Sequence, residues 1–490
     1  MTSLRMSGYT QPQFEATVYN SEIHTVAELR EGYQYPDNGS TAADMWAALR
    51  QHPEHSPAYY VLVRRWMQVL PNTVLSVRLL SVLISLLALP CMYWLTWELF
   101  GSSLISWAAT ALLAISPFHV LYAQEAREYA LWTVTILLSS ATLLWALRQR
   151  QGTMAGAMTW ITYGLTNALG LYVHPFSGFV TASHGLYILI TQQWRVNRQT
   201  LSYAIATGFS ILLFLPWLWV VIEHADRFVG NTASVTQPRS GLLPLFWLLN
   251  LSRLFLDLNQ GPSAINPAHY LLLLLALVAC VHLCRHSPAS CWSFVFLLMG
   301  VTGLALLGPD VLLGGRRSSI TRYAVPAYLG LQISVSYLLA TQITANPFAV
   351  RSRFRIRRRW RGVAIALALA GVISCGVNAH HSVWWHKSYA KSRRNPDVAQ
   401  VINASERPLV ITDRKPAGRM LSLLHLLDQD VSVQLVERPG PVRTPKRFSD
   451  IFLYLPSDWM RQRVEQKVGA KLQPLTFNNE DDPWLWRVSR

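Results

Sequence analysis

Residues 77–98 read VRLLSVLISLLALPCMYWLTWE. Between Arg78 near one end and Glu98 at the other, the run carries no charge. A bilayer core about 30 Å thick is crossed by roughly 20 apolar residues of helix, so a run of this length reads as a transmembrane span. Pro90 lies inside it, and membrane helices tolerate proline because neighbouring groups re-satisfy the freed backbone. Working outward, nine more such runs follow, near 104–123, 129–147, 155–173, 176–193, 201–222, 268–284, 291–308, 322–343 and 362–380. Pro117, Pro216 and Pro326 fall inside three of them. The expected fold class is an all-α polytopic membrane protein of about ten transmembrane helices.

Composition agrees. The chain has 490 residues, 51% of them hydrophobic and 11% aromatic, with a mean hydropathy of +0.22. Only 14% are charged, against roughly 25% in soluble domains. Yet 43 Lys+Arg against 26 Asp+Glu leave a net charge of +17. This excludes a secreted disulfide scaffold, a disordered tail or an ordinary cytosolic enzyme. A nucleic-acid partner would explain the charge but not the missing polar surface, so none is expected. A lipid bilayer explains both.

Charge placement sets the topology. Between Thr73 and Trp385 the only carboxylates are Glu98, Glu125, Glu128, Glu223, Asp226, Asp257 and Asp310, and all six lysines come later. Alternate short loops hold Arg148 and Arg150, Arg195 and Arg198, Arg285, and then Arg351, Arg353, Arg355, Arg357, Arg358, Arg359 and Arg361. Twelve arginines without a carboxylate mark that face as cytoplasmic. Six of the seven carboxylates then fall on the opposite face, with Glu98 the exception. Both termini are thereby expected outside. The polar segment 1–73 has no signal-like apolar core ahead of it, so an upstream helix is expected to be missing from this chain.

Three segments result: a first extracytoplasmic loop region over 1–73, a multi-helix membrane domain over 74–384, and a small soluble α/β domain over 385–490. In the last, 408–413 (PLVITD), 431–437 and 450–455 read as strands, and 418–428 and 458–469 as helices. It carries no phosphate loop and no G-x-G-x-x-G, which suits a covering or substrate-recognition role. The five cysteines, Cys91, Cys280, Cys284, Cys291 and Cys375, lie in or beside spans. They read as small buried hydrophobes, not as a disulfide or zinc framework.

Polar groups at membrane depth are costly and mark functional paths. On the expected outer face they form four stretches: 55–60 (HSPAYY), 122–129 (YAQEAREY), 172–175 (YVHP) and 314–323 (GGRRSSITRY). Arg316, Arg317 and Arg322 sit on the wrong side for the positive-inside rule. A bound phosphate or pyrophosphate would favour them there, since the guanidinium fork pairs two phosphate oxygens. Pairing with Asp310 or lipid headgroups is the alternative. Glu125 and Arg127 occupy a tight turn, either as site groups or as an interfacial salt bridge. His55 and His174 matter mainly for falling on the same face, and Tyr59, Tyr60, Tyr122 and Tyr172 suit an aromatic belt as well.

In order, H-x-P-x-Y-Y, Y-A-Q-E-A-R-x-Y, Y-x-H-P and G-G-R-R-S-x-x-x-R-Y resemble the membrane-embedded C-type glycosyltransferases. More closely, they are similar to the bacterial branch of the family-39 protein mannosyltransferase and aminoarabinose-transferase type, cyanobacterial members included. The resemblance covers about residues 1–380, and Q-E-A-R-x-Y is its most specific element. It implies transfer of a sugar from a polyprenyl-phosphate donor to a glycan, lipid or protein acceptor, on the extracytoplasmic side of a bacterial plasma membrane. It gives the lipid phosphate to Arg316, Arg317 and Arg322, assisted by Arg127. His55, Glu125, Tyr129, His174 and Tyr323 complete the candidate set, with Glu125 the candidate catalytic carboxylate. The family's own base is an acidic residue just after the first membrane helix. This chain begins MTSLRMSGYT, which looks like sequence downstream of it, so the chain as given is expected to be catalytically impaired.

No cofactor is implied; a divalent metal is compatible, but no exposed Cys/His cluster has ligand spacing. The competing reading is a transporter or flippase of a lipid-linked substrate. Transporters tend to show repeated halves and broken midplane helices. No repeat is evident and the charges gather at one face, which favours the enzyme. A non-catalytic assembly protein ranks third.

Overall fold

All ten apolar runs are helical in the computed structural model, which describes residues 2–36, 39–71, 73–237, 242–344, 351–381, 383–386, 392–469, 471–475 and 483–488. Asp37, Lys387, Lys391 and the side chains of Arg351, Arg353 and Arg355 lie outside the described set. The protein is a multi-pass membrane protein. Among the described residues, seven helices are long and apolar enough to cross a bilayer: Val74–Phe100, Tyr129–Arg148, Arg198–Glu223, Pro267–His286, Ala289–Leu312, Thr321–Thr344 and Arg357–Ala379.

Three of the ten expected runs do not meet that length and apolarity singly, for identifiable reasons. The run at 104–123 is two helices, Ser103–Ala114 and Pro117–Ala123, bent by 58° and counting as an eighth span if taken together. Pro117 stands at the first position of the second helix, where its missing N–H costs nothing but where it cannot continue the helix before it. Met154–Val173 is diluted by Thr159, Thr162, Thr166 and Asn167, and Ser177–Thr191 has 15 residues.

The chain divides into two compact units that cut across the three segments expected from sequence. The larger consists of His52–Tyr59 and Val77–His381. Within it, the most apolar windows of Tyr129–Arg148 and Thr321–Thr344 are 83% buried, whereas Val74–Phe100, Arg198–Glu223 and Arg357–Ala379 are 22% buried. The first two are therefore the centre of the helix assembly. The others turn leucine rows outward, such as Leu75, Leu79, Leu83, Leu86 and Leu87, a pattern that is stable against hydrocarbon and not against water. Glu98 finds its reason here: its carboxylate meets Arg148 Nε at 3.2 Å, so the one carboxylate on the arginine-rich face is paired.

The smaller unit gathers the N-terminal segment, Tyr60–Ser76 and the chain beyond His381. Its sheet runs in the order β1-β3-β2-β4-β6-β5, from β1 (Ile23–Thr25), β2 (Pro408–Thr412), β3 (Ser432–Leu435), β4 (Asp450–Tyr454), β5 (Leu472–Leu475) and β6 (Leu485–Val488). β2 is parallel to both β3 and β4, and Val410 lies opposite Val433 and Phe452. The period of two sends Val410, Val433 and Phe452 to one face, packed with Leu4, Phe14 and Met420. Leu409, Ile411, Ile451 and Leu453 go to the other, packed with Met460 and Val464. The strands and helices expected in the tail are present. β1 was not expected: it comes from the first loop region and pairs antiparallel with β3, Ile23 against Gln434.

Candidate active site

The candidate residues read from the four stretches, His55, Glu125, Arg127, Tyr129, His174, Arg316, Arg317, Arg322 and Tyr323, lie in the larger unit. Glu128 precedes the Tyr129–Arg148 helix as its N-cap residue, where the helix dipole favours a carboxylate. Its side chain is buried, and Oε1 meets His55 Nδ1 at 3.3 Å. Burial alone would raise the Glu128 carboxyl. The His55 hydrogen bond and the charges of His55, Arg127 and His174 outweigh it and hold the group well below the usual carboxylate range. Glu54 repeats the arrangement one residue before His55. Burial pushes it up, but hydrogen bonds from His52 (3.2 Å) and Asn231 (2.9 Å) and the charge of His55 hold it at about 2.

His174 caps Met154–Val173, its N–H donating to Gly170 O at 3.0 Å. The ring is buried and stacks on Trp132 with centroids 4.0 Å apart, and Trp132 Nε1 donates to Ser177 Oγ at 3.0 Å. Phe176 N–H donates to His174 Nδ1 at 3.2 Å, so the neutral ring carries its proton on Nε2. Burial first, then the charges of His55 and Arg322, lower its pKa to about 4, against the opposing pull of Glu128.

The 314–323 segment splits into two. Gly314 and Gly315 take φ of +77° and +135°, conformations that suit glycine. A Cβ on Gly315 would stand 2.7 Å from Asp310 Oδ1 and 2.6 Å from Arg317 Nη1, so the turn closes directly over that pair. Arg317 Nη1 meets Asp310 Oδ1 at 3.0 Å, and Ser318 donates to Asp310 Oδ2 from both N and Oγ at 2.7 Å. Asp310 is thus fully engaged, and the pairing alternative weighed above describes Arg317. Arg316 donates its backbone N–H to Val235 O at 3.0 Å; its half-buried side chain has no ion pair among the described residues.

Arg322 is different. It sits on a 3₁₀ turn, Thr321–Ala324, at the head of the central helix Val325–Thr344. Its guanidinium lies 5.3 Å from the Tyr323 ring centroid and 5.7 Å from that of Tyr129. Among the described residues no carboxylate pairs with it, and its buried Nε has no hydrogen-bond partner. Tyr129 packs edge-on to Tyr122 at 5.2 Å, and Tyr323 packs on Phe176 at 5.2 Å. Each cation–π contact is worth about 0.5–2 kcal/mol, whereas removing a guanidinium from water costs several. The side chain is half-buried, so only part of that cost applies, and the two rings meet it in part.

Arg127 and Glu125 are half-buried in the connecting turn, with Arg127 N–H donating to Glu125 O at 2.8 Å. Their charges act on Tyr122, as do those of Arg322 and Arg253. The structure therefore brings His55, Arg127 and His174 to Glu128, joins Arg322 to Tyr129 and Tyr323, whose rings neighbour His174, and pairs Arg317 with Asp310. Glu128, Glu54, Trp132 and Arg253 were not read as site residues from sequence. Glu128 had a signal, since the residue just before an apolar helix is its N-cap. So did Arg253, a lone arginine in the apolar run PLFWLLNLSRLFLD over 244–257. Among the described residues no three His, Cys, Asp or Glu side chains form a metal-binding group.

No protein-family model and no curated protein sequence matches the chain. Solved structures do. ArnT from Cupriavidus metallidurans, crystallised bound to undecaprenyl phosphate, superposes over 100% of this chain and 93% of that chain, with a TM-score of 0.55 and 12% identity. The chain has the ArnT fold. The apo form of ArnT gives the same TM-score of 0.55 over 99% of this chain and 92% of that one, again at 12% identity. The apo oligosaccharyltransferase of Archaeoglobus fulgidus superposes at a TM-score of 0.50 and 12% identity, over 89% of this chain and 60% of its own. Identities this low carry the architecture alone.

Proposed function

We propose that this protein is a membrane glycosyltransferase that moves a sugar from a polyprenyl-phosphate donor to a glycan, lipid or protein acceptor. We place the reaction on the extracytoplasmic face of a bacterial plasma membrane, which rests on the arginine-rich face being cytoplasmic. One observation carries the reading: Arg322, its Nε buried and without a carboxylate partner among the described residues, stands between two tyrosines beside the His55–Glu128 pair. The phosphodiester of the donor, and the phosphate monoester it becomes when the sugar leaves, supply the charge this position lacks, and the guanidinium fork matches their oxygens. That ArnT shares the fold and was crystallised with undecaprenyl phosphate supports the assignment.

In the reaction, the acceptor oxygen forms a bond to the anomeric carbon while the bond from that carbon to the lipid-phosphate oxygen breaks. The electron pair leaves with the phosphate, whose growing charge Arg322 and Arg127 stabilise. The acceptor's proton passes to a carboxylate, and Glu125 is the candidate in this chain, because Glu128 is buried and its carboxylate, held well below the usual range, accepts a proton poorly. Arg316 extends the cationic rim, while Arg317 is taken up by Asp310 and does not act on the donor.

The test is transfer itself: purified protein in lipid, radiolabelled polyprenyl-phosphate sugars, and a panel of glycan, lipid and peptide acceptors. Label appearing in an acceptor supports the reading. Transbilayer movement of the donor with no transfer to any acceptor would overturn it.

A further inference from the structure

The break inside the second apolar run has more fixings than a kink requires. Where a helix breaks within a bilayer, the freed backbone groups need partners from protein because no water is at hand. Three other elements converge on this one. Ser116 Oγ donates to Leu254 O at 2.8 Å. Cys375, on Arg351–Ala379, directs its thiol to Ile115 O at 3.5 Å. Gly371, one turn earlier, lies against the same carbonyl, and a Cβ there would stand 2.5 Å from Ile115 O. On the central helix, Gln332 Oε1 meets His119 Nε2 at 3.0 Å.

The Gln332–His119 contact is unusual for what it leaves over. Gln332 is wholly buried, and its Nε2 has no hydrogen-bond partner. An apolar pair would fill the space without stranding an amide, so the polar pair is retained at a cost. What it joins is informative. Pro117–Ala123 carries Phe118, which packs edge-on to Tyr328 at 5.2 Å and against Tyr122 at 4.9 Å. It also leads directly into the turn that ends at Glu128. Gln332 belongs to the helix that begins just after Arg322 and Tyr323. One hydrogen bond therefore ties the element aiming Tyr122 and Glu128 to the element aiming Arg322.

We infer that the broken helix is a fixed mount for the site, and that His119, Gln332 and Gly371 are positioning residues that hold Tyr122 and the 124–128 turn against Arg322. None of the three touches the reacting atoms. The inference rests on the transferase reading above. A misplacement of about 1 Å costs up to 10²-fold in rate, so a displaced mount appears in turnover before it appears in donor affinity.

The experiment compares full-length wild type with His119→Leu, Gln332→Leu, the double variant and Gly371→Ala in the transfer assay, each rate normalised to folded protein by gel filtration. Undecaprenyl-phosphate affinity is measured in parallel. Each single variant is expected to lose about 10- to 100-fold in kcat with donor KM within about twofold of wild type. The double variant is expected to lose no more than the worse single, since both members act through one bond. His119→Gln, which can still pair with the amide, is expected to recover part of the rate. Gly371→Ala leaves the hydrogen-bonded pair intact and serves if the leucine variants do not fold. Unchanged kcat in folded variants, or additive losses in the double variant, overturns the inference while leaving the transferase reading in place. No transfer by wild type with any acceptor overturns that reading, and the inference falls with it.

Discussion

Arg317 and Arg322 stand on one short segment, yet their surroundings are opposite. Arg317 pairs with Asp310, a carboxylate whose side chain is sealed from solvent and also takes two hydrogen bonds from Ser318. Arg322, with two tyrosine rings in reach, has no carboxylate partner among the described residues. From sequence the two are equivalent, both on the wrong face for the positive-inside rule. The structure separates them into a cation paired with a carboxylate and a cation without a carboxylate partner among the described residues. An arginine's neighbours, more than its topological side, decide whether it is available to bind.

That contrast can be broken at either end. The largest effect is expected at the structural end. Arg317→Ala leaves Asp310 buried without its counter-charge, and breaking a buried pair in this way costs about 3–5 kcal/mol. Thermal unfolding in detergent should show a clear drop in Tm, with donor affinity per folded molecule unchanged. A variant with wild-type Tm would mean that the pair does not hold the loop.

Next comes a pH effect at the ligand end. His174 titrates near 6.5 when unfolded and at about 4 in the folded protein, where burial and the charges of His55 and Arg322 keep the ring neutral. Its folded pKa is lowered, so its contribution is complete above 6.5 and is lost as pH falls from 6.5 towards 4. The loss reaches about 3 kcal/mol, from 1.36 kcal/mol per unit. His174→Phe keeps the stacking on Trp132 and removes the titration. Between pH 7 and 4.5 the variant should lose less stability than wild type, and equal losses would show that the ring is not held neutral.

The smallest expected effect tests the aromatic wall. Tyr129→Leu removes one cation–π contact to Arg322, worth about 1 kcal/mol, and should weaken donor binding by about fivefold in a titration with undecaprenyl phosphate. A change below twofold would make Tyr129 a packing residue only.

Much of this was legible from the residues, for physical reasons. Apolar runs near 20 residues long leave the chain little choice but helix, and all ten runs are helical. Short apolar runs in PLVIT and DIFLY marked strands that do form. What failed was non-local or geometric. β1 has three residues, and its partner lies some 400 positions away, so no local pattern announces it. The break at Ser116 depends on how Ser116 meets Leu254 and Ile115 meets Cys375, which periodicity does not encode. Glu125 and Glu128 share one motif, and which of them meets His55 depends on the shape of the turn between two helices. Asp310 was visible as a partner for the arginines. Only the glycine turn at 314–315 assigns it to Arg317.

The measurement that bears most directly on the phosphate assignment is undecaprenyl-phosphate affinity of purified wild type, Arg322→Ala and Arg317→Ala under one set of conditions. The expected result is a weakening of about 30- to 100-fold for Arg322→Ala, as for loss of a charge-assisted hydrogen bond worth about 2–3 kcal/mol, and wild-type affinity for Arg317→Ala. Wild-type affinity in Arg322→Ala would contradict the assignment, and loss confined to Arg317→Ala would reverse it.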